Sequence, residues 1–178
     1  MKKIDNLEFF RIDTITLAQN LIGKWIETNI NGKCVRSQIS ETEAYLGESD
    51  SACHSYMGKR TKRTEPMWND GGTIYIYLCY GLHYLFNIVS KKKGEPEAVL
   101  IRVLTNANGP AKVTKFLNID KSLNGQSIVN NNQICILDDG KKYSFTKDKR
   151  VGIDYAKQKD KNAKLRFILK DAFYNLKN

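Results

Sequence analysis

The apolar positions near the N-terminus predict one helix. Residues 13–22 place Leu17 and Leu21 at helical spacing, so one side of the segment is apolar. Asp13 or Thr14 is the expected capping residue, because their side-chain oxygens can accept from a free backbone N–H of the first turn.

Five later segments have the length and residue types of strands. Residues 24–30 and 34–45 flank the sequence "NING", which is typical of a tight hairpin. Residues 74–79 alternate isoleucine or leucine with tyrosine or cysteine, so one face is aliphatic and the other mostly aromatic. Residues 84–90 and 97–104 are further apolar strands.

The remaining segments predict a turn, a loop and a second helix. Tyr80-Gly81 interrupts the alternation and marks a turn, and residues 47–72 are polar enough for a long loop. Residues 109–119 fit a short helix with Pro110 in its first turn. We therefore predict an α+β fold, with one domain over residues 1–178 and short helices flanking a central curved antiparallel sheet.

The charge of the chain narrows the class of partner. Its 178 residues contain 29 Lys+Arg against 19 Asp+Glu, a formal net charge of +10. Such a surface favours a polyanion such as nucleic acid, or an anionic membrane face, although a lysine-rich soluble protein has the same balance. No run approaches the ~20 apolar residues of a spanning helix, and the N-terminus lacks an apolar signal core. We therefore expect a cytoplasmic protein, nucleoid-associated in a bacterium, with no membrane contact.

Several common chemistries leave no trace in the sequence. The four cysteines are widely spaced without a C-x-x-C pair, so neither a zinc site nor a disulfide framework is indicated, and reduced, mostly buried thiols are expected. The zinc deaminase motif, the phosphate-binding G-x-x-x-x-G-K-[ST] and the G-x-S-x-G elbow are all absent.

Acidic residues gather in the stretch "ETEAYLGESDSACHS", residues 41–55. Glu41 and Glu43 share one face of the predicted strand, which is the pattern of an edge strand protected by charge. Tyr45 and His54 favour a functional alternative, because a carboxylate, a phenol and an imidazole together can form an acid–base or base-reading cluster.

A basic loop and an arginine in an apolar strand are the other candidates. Residues 59–63, "KRTKR", are either a solvated charge run or a phosphate-binding loop. Tyr75, Tyr77 and Tyr80 are either core residues or a surface on which bases stack. Arg102, within "AVLIRVL", requires a partner, and the carboxylate of Glu43 would serve.

Four motifs in this order resemble a known family. "ETEAYLGESDSACHS", "GTIYIYLCYGLHYLFNIV", "VLIRVL" and "GPAKV" are similar to the small, single-domain alkyladenine (3-methyladenine) DNA glycosylases, over residues 9–169. The resemblance implies an enzyme that flips alkylated or deaminated purines out of duplex DNA and hydrolyses the N-glycosidic bond. It also implies a monomer that needs no metal and no cofactor and starts base excision repair.

The resemblance also assigns the hydrolytic centre. Glu43 matches the general base that deprotonates the attacking water. Arg102 matches the arginine that helps to position this water, and the backbone carbonyl of Val151 matches its third contact.

Further matches concern the base and the DNA. Tyr45 and His54 match residues that pack against the flipped base and hydrogen-bond to it. Tyr77 matches the residue that stacks on the other face of the base, and Asn87 matches the residue that selects among purines. Three more positions match contacts with duplex DNA. They are Tyr80, which fills the gap left by the base, and the basic contacts Arg63 and Lys112.

One departure from the family pattern lies before the glycine-proline motif. Larger members carry an extra helical segment before the glycine-proline motif, whereas only residues 103–108 follow Arg102 here. Two alternatives remain open at this point. One is a non-catalytic DNA-binding protein that retains the fold, and the other is a glycosylase/lyase that uses a lysine nucleophile.

Overall fold

A computed structural model describes residues 1–170 of the protein. The architecture is α+β, as the sequence predicts, and the sheet is curved and antiparallel. In the described part of the chain, it is built from β1 (Lys2–Lys3), β2 (Trp25–Ile30), β3 (Lys33–Tyr45), β4 (Ile74–Cys79), β5 (His83–Val89), β6 (Ala98–Leu104), β7 (Ala107–Asn108), β8 (Ile134–Asp138), β9 (Phe145–Asp148) and β10 (Arg166–Leu169). The strand order is β1-β8-β2-β3-β6-β5-β4, with β7 on β6 and with β10 pairing both β3 and β9.

The helices of this region are short. They are α1 (Thr14–Leu21), α2 (Pro110–Phe116) and α3 (Gln158–Asn162). Asp13 is the cap of α1, since its side chain accepts from the Thr16 N–H, and the apolar side of α1 is buried. The sequence predicts no helix at α3, whose residues are all at least partly exposed.

The long strand β3 positions the acidic residues. Its first half pairs with β2, while Glu41 to Glu43 have β6 on one edge and β10 on the other. The edge-strand alternative for these acids is therefore wrong. Thr42 and Ala44 point towards the core, where the Thr42 hydroxyl donates to the Ala18 carbonyl, so Glu41 and Glu43 lie on the opposite face.

The β4–β5 hairpin ends in the turn that the sequence predicts. Tyr80 and Gly81 both have positive φ, 51° and 69°, and the Leu82 N–H donates to the Cys79 carbonyl. Glycine adopts this backbone without strain, whereas a tyrosine does so rarely. The tip projects from the molecule, and the Tyr80 side chain is 93% exposed.

The loop between β3 and β4 is held down by a buried ion pair. It contains three short 3₁₀ turns, Gly47–Ser49, Tyr56–Gly58 and Glu65–Trp68. Arg150, just after β9, donates to both carboxylate oxygens of Asp50 at 2.5 and 2.9 Å and to the Ala44 carbonyl at 2.9 Å. This pair joins the loop to the segment after β9.

The structure tests the expected burial of the thiols, and its helices can be compared with the length that a membrane span needs. The thiols are free, but only Cys53 is buried, while Cys34 is exposed and Cys79 and Cys135 are intermediate, so the expectation of mostly buried thiols is wrong. Among residues 1–170, every helix is too short or too polar to cross a bilayer.

Candidate active site

The carboxylate of Glu43 lies at the centre of the candidate site. Its side chain is completely buried, and three donors surround it. Oε1 accepts from Arg102 Nε at 3.0 Å and from the Val151 N–H at 2.9 Å. Oε2 accepts from the Tyr45 hydroxyl at 2.7 Å. The expectation that Glu43 is the partner of Arg102 is confirmed.

Burial changes the acidity of this carboxyl group. It raises the pKa of Glu43, and the hydrogen bonds from Val151 and Tyr45 and the charge of Arg102 offset this only in part. A carboxylate with a raised pKa is a stronger base than one in water, so this residue has the property that general base catalysis requires.

Arg102 is itself held by a second carboxylate. Its Nη1 lies 3.7 Å from Oε2 of Glu41, on the strand face that also carries Glu43. Arg102 retains some exposure, and it lines a cavity. The acid-rich stretch therefore supplies two partners for one arginine.

The cavity beside Glu43 has a volume of about 250 Å³. Its wall is mainly apolar and aromatic, with a few polar groups, and includes Tyr45, Cys53, His54, Met67, Tyr75, Tyr77, Tyr80, Asn87, Arg102, Val151 and Tyr155. Such a wall suits a flat, weakly polar ligand that is oriented by a few hydrogen bonds.

His54 forms one polar part of the wall. Its Nδ1 lies 2.9 Å from the Tyr75 hydroxyl. Burial, with Arg63 and Lys59 nearby, lowers the pKa of His54 to about 4, so the imidazole is neutral at pH 7. A neutral imidazole has one donor and one acceptor nitrogen, and Tyr75 occupies one of them.

Tyr77 connects the cavity to the basic loop. Its ring meets His54 edge to face, with centroids 4.6 Å apart, and the Arg63 guanidinium lies 5.0 Å from the ring centre. A base stacked between these two rings would separate them by roughly twice the usual carbon–carbon contact distance of 3.5–4.0 Å. The expected placement of His54 and Tyr77 on opposite faces of one base stays a prediction, which requires these two rings to separate.

Asn87 lies in the cavity wall on β5 and is 4% exposed. Its Nδ2 donates to the Tyr75 carbonyl at 3.1 Å, across the β4–β5 pair. This bond fixes the orientation of the amide, so its oxygen and remaining N–H are presented in one arrangement.

Comparison with known proteins identifies the family of this chain. The model of the methylpurine-DNA glycosylase family matches residues 8–106 and 104–173. The chain belongs to this family. A relative from Borrelia garinii is 43% identical over 175 residues, covering 92% of this chain and 94% of the relative. A relative from Desulfitobacterium hafniense is 37% identical over 201 residues, covering 98% of both. Both carry the name "Putative 3-methyladenine DNA glycosylase".

In this methylpurine-DNA glycosylase family member, most residues assigned by resemblance converge on one place. Glu43, Tyr45, Arg102 and Val151 make direct contacts, and His54, Tyr77 and Asn87 share the adjoining cavity. Val151 faces Glu43 through its N–H, whereas the resemblance concerned its carbonyl group.

The three DNA-binding candidates of this family member are spread around the cavity. Tyr80 reaches the cavity margin from the hairpin tip, and Arg63 lies on Tyr77. Lys112 is exposed on α2, two residues after Pro110, which lines the cavity.

Sequence reasoning missed Arg150, Asp50 and Tyr155. Arg150 lies 4.8 Å below the ring of Tyr45 and pairs with Asp50, and Tyr155 lines the cavity with its hydroxyl donating to the Ala52 carbonyl. Arg150 immediately precedes Val151, which was the only available signal. Nothing in the sequence pairs it with an aspartate 100 positions earlier.

Proposed function

We propose that this protein is a monofunctional DNA glycosylase that removes alkylated or deaminated purines from duplex DNA. Its substrates belong to the class of 3-methyladenine, ethenoadenine and hypoxanthine. The observation that carries the proposal is the buried Glu43 carboxylate, held by Arg102 and the Val151 N–H beside an aromatic cavity.

One acceptor position of Glu43 has no partner among residues 1–170, and we propose that the attacking water occupies it. An ionised carboxylate offers about four acceptor positions. Three are filled, two on Oε1 and one on Oε2, so the free position is on Oε2. The burial of Glu43 shields this position from bulk solvent, and Arg102 and the Val151 carbonyl are the other proposed contacts of the water.

The reaction is a hydrolysis at the sugar C1′. Glu43 takes a proton from the water, the water oxygen bonds to C1′, and the base leaves with the electron pair of the glycosidic bond. Departure of the base builds positive charge on the sugar, which a nearby carboxylate stabilises. The product is a free purine and an intact strand with an abasic site, the starting point of base excision repair.

The cavity supplies recognition of the base. In the proposed complex the purine packs against Tyr45 and Tyr77, and His54 lies at its edge. Asn87 selects among purines by clashing with the amino group of guanine. A cationic alkylated purine gains further from stacking on electron-rich tyrosine rings. Flipping costs least for damaged or mismatched bases, so part of the selectivity arises before the cavity is reached.

The DNA surface surrounds this cavity. Tyr80 enters the duplex where the base has left, and Arg63 and Lys112 contact phosphates, within a chain of net charge +10. We infer that residues 1–178 form one glycosylase domain that acts as a monomer on duplex DNA in the cytoplasm or nucleoid.

A lyase mechanism has less support. A lysine can attack the sugar only when it is neutral, so its pKa must fall from about 10.4. No lysine of residues 1–170 lines the cavity. Borohydride added during turnover should therefore trap no protein–DNA adduct, and strand breaks should appear only after alkali. A trapped adduct that one lysine substitution abolishes would assign the reaction to that lysine.

The test of the proposal is release of free base. Duplexes with one ethenoadenine or hypoxanthine, and DNA treated with a methylating agent, are incubated with excess protein, and the released purine is measured by chromatography. Glu43→Gln should bind the same duplexes and lose about 10²- to 10⁴-fold in rate, the usual contribution of a positioned base.

Glu27→Gln is the matched control, because Glu27 is also a paired carboxylate but lies on β2 and pairs with Arg36. It should excise at the wild-type rate. Wild-type protein that binds duplex DNA but releases no purine from any substrate would leave only the non-catalytic alternative. Excision by Glu43→Gln at the wild-type rate would remove Glu43 from the reaction.

A further inference from the structure

Arg166 makes an unusual set of contacts near the candidate active site. It lies on β10 directly opposite Glu43 of β3, yet it is not part of the cavity wall. Its Nη1 donates to Glu41 Oε2 at 3.1 Å, its Nε to the Lys149 carbonyl at 2.8 Å, and its Nη2 to Asp148 Oδ2 at 2.7 Å. One side chain therefore joins three separate acceptors.

The first of these contacts leads to Arg102. Oε2 of Glu41 accepts from Arg166 and lies 3.7 Å from Arg102 Nη1. Glu41 is thus held between two guanidinium groups, and Arg166 restricts its position. The side chain of Glu41 in turn restricts the outer end of Arg102, while Nε of Arg102 donates to Glu43.

The second contact leads to Val151. The carbonyl of Lys149, which accepts from Arg166, lies two residues before Val151, whose N–H donates to Glu43. The backbone between them continues through Arg150, which is fixed by Asp50. Arg166 therefore anchors the start of the segment that presents Val151 to the carboxylate.

We propose that Arg166 is a positioning residue for the hydrolytic centre, holding Arg102 through Glu41 and Val151 through the Lys149 carbonyl. This inference rests on the proposed glycosylase function. Arg166 touches neither the water nor the base, and it acts by keeping two of the groups around the attacking water in place.

The geometry requires arginine at this position. Guanidinium has five N–H donors in a rigid plane, so Nε and the two terminal nitrogens can serve three acceptors in fixed directions. A lysine has one charged nitrogen at the end of a flexible chain and cannot hold all three of these acceptors in the same geometry. Arg166→Lys should therefore preserve only part of the arrangement.

The test separates the rate of the chemical step from DNA binding. Single-turnover excision of hypoxanthine is measured with excess protein, and binding is measured on a duplex with an uncleavable abasic analogue. Arg166→Met should lower the single-turnover rate constant about tenfold to a hundredfold, as small displacements of reacting groups do, with Kd changed less than about threefold. Arg166→Lys should recover part of the loss.

Glu41→Gln tests the route through Arg102 independently. It should also lower the rate constant, and the double variant with Arg166→Met should lose less than the product of the two single effects, because both act through Arg102. Arg36→Met is the matched control, since Arg36 also binds a carboxylate through two nitrogens, but at the other end of β3. This control should excise at the wild-type rate.

Other outcomes would overturn the inference. One is an unchanged rate constant in Arg166→Met. The other is a lower rate constant in Arg166→Met while Arg166→Lys and Glu41→Gln excise at the wild-type rate and all variants unfold at the wild-type temperature. Equal losses in Arg166→Met and Arg36→Met would show a general effect on the sheet. The proposed function fails separately, when the wild-type protein itself releases no base.

Discussion

Replacing Tyr45 with phenylalanine would isolate one bond of the candidate active site. The Tyr45 hydroxyl donates to Oε2 of Glu43 at 2.7 Å, while its ring packs over Arg150, with 4.8 Å between the guanidinium carbon and the ring centre. Phenylalanine keeps the ring and its packing and removes only the donor. Arg102 and the Val151 N–H still donate to the carboxylate.

The size of the effect follows from the charge of the acceptor. A hydrogen bond to a charged group contributes about 1.5–3 kcal/mol, and the ionised carboxylate loses most of it when the donor is removed. The pKa of Glu43, which burial already raises, must then rise further. Since about 1.4 kcal/mol corresponds to a factor of ten, the fraction of ionised base on the acidic side falls about tenfold to a hundredfold.

The assay is single-turnover excision of hypoxanthine between about pH 5 and pH 9. The acidic limb of the Tyr45→Phe profile should lie at higher pH than that of the wild type, and the two rates should converge above it, where Glu43 is ionised in both proteins. Tyr143→Phe is the control, because the Tyr143 hydroxyl also donates to a carboxylate, that of Asp139, outside the cavity.

Two results would refute this reasoning. If the acidic limbs of Tyr45→Phe and the wild type coincide, the Tyr45 hydroxyl does not tune the base. If the rate of the variant falls by one factor at every pH, the hydroxyl acts on the substrate and not on the ionisation of Glu43.

Three further predictions concern stability, base extrusion and salt. Burial raises the pKa of Glu43, so the folded state loses stability as pH rises above about 4.3, the ordinary glutamate pKa. The Tm of Glu43→Gln relative to that of the wild type should therefore increase from acidic to neutral pH. A Tm difference that does not depend on pH would contradict this. Tyr80→Ala should leave Tm unchanged, since the side chain is 93% exposed, but reduce the fluorescence of an extruded base analogue; equal extrusion would exclude its role in the duplex. Lys112→Met should make the slope of log Kd against log salt concentration shallower by about one. Lys33→Met is the control and should leave the slope unchanged, because Lys33 lies about 40 Å along β3 from Tyr45. Equal slopes in the two variants would place Lys112 outside the DNA contact.

Much of the fold could be predicted because its signals are local. The capped stripe of residues 13–22 gave α1 within one residue at each end, and the "NING" turn gave β2 and β3. The alternation in residues 74–79 gave β4. Helix α3 could not be predicted in this way, because five polar or charged residues carry no apolar periodicity.

Two signals predicted contacts of the site: the alternation along β3, and the need of Arg102 in an apolar strand for a carboxylate, which Glu43 meets. The alternation that puts Glu41 and Glu43 on one face also puts Tyr45 there, and this accounts for its bond to Glu43. The contacts of Arg150 and Arg166 could not be inferred, since each guanidinium has many possible acids in a charged chain. Strand pairing selects among them, and it depends on the whole sheet.

The β4–β5 hairpin carries both ends of the proposed base-flipping apparatus on one piece of backbone. Tyr77 in the cavity wall and Tyr80 at the tip are three residues apart, a span of at most about 10 Å. Covalent geometry therefore limits the distance between Tyr77 in the cavity wall and Tyr80, the residue proposed to enter the duplex. Inserting or deleting one residue in β4 would also reverse which side chains face the cavity. Most surface loops accept changes in length, whereas we expect a change in the length of β4 to disrupt the site.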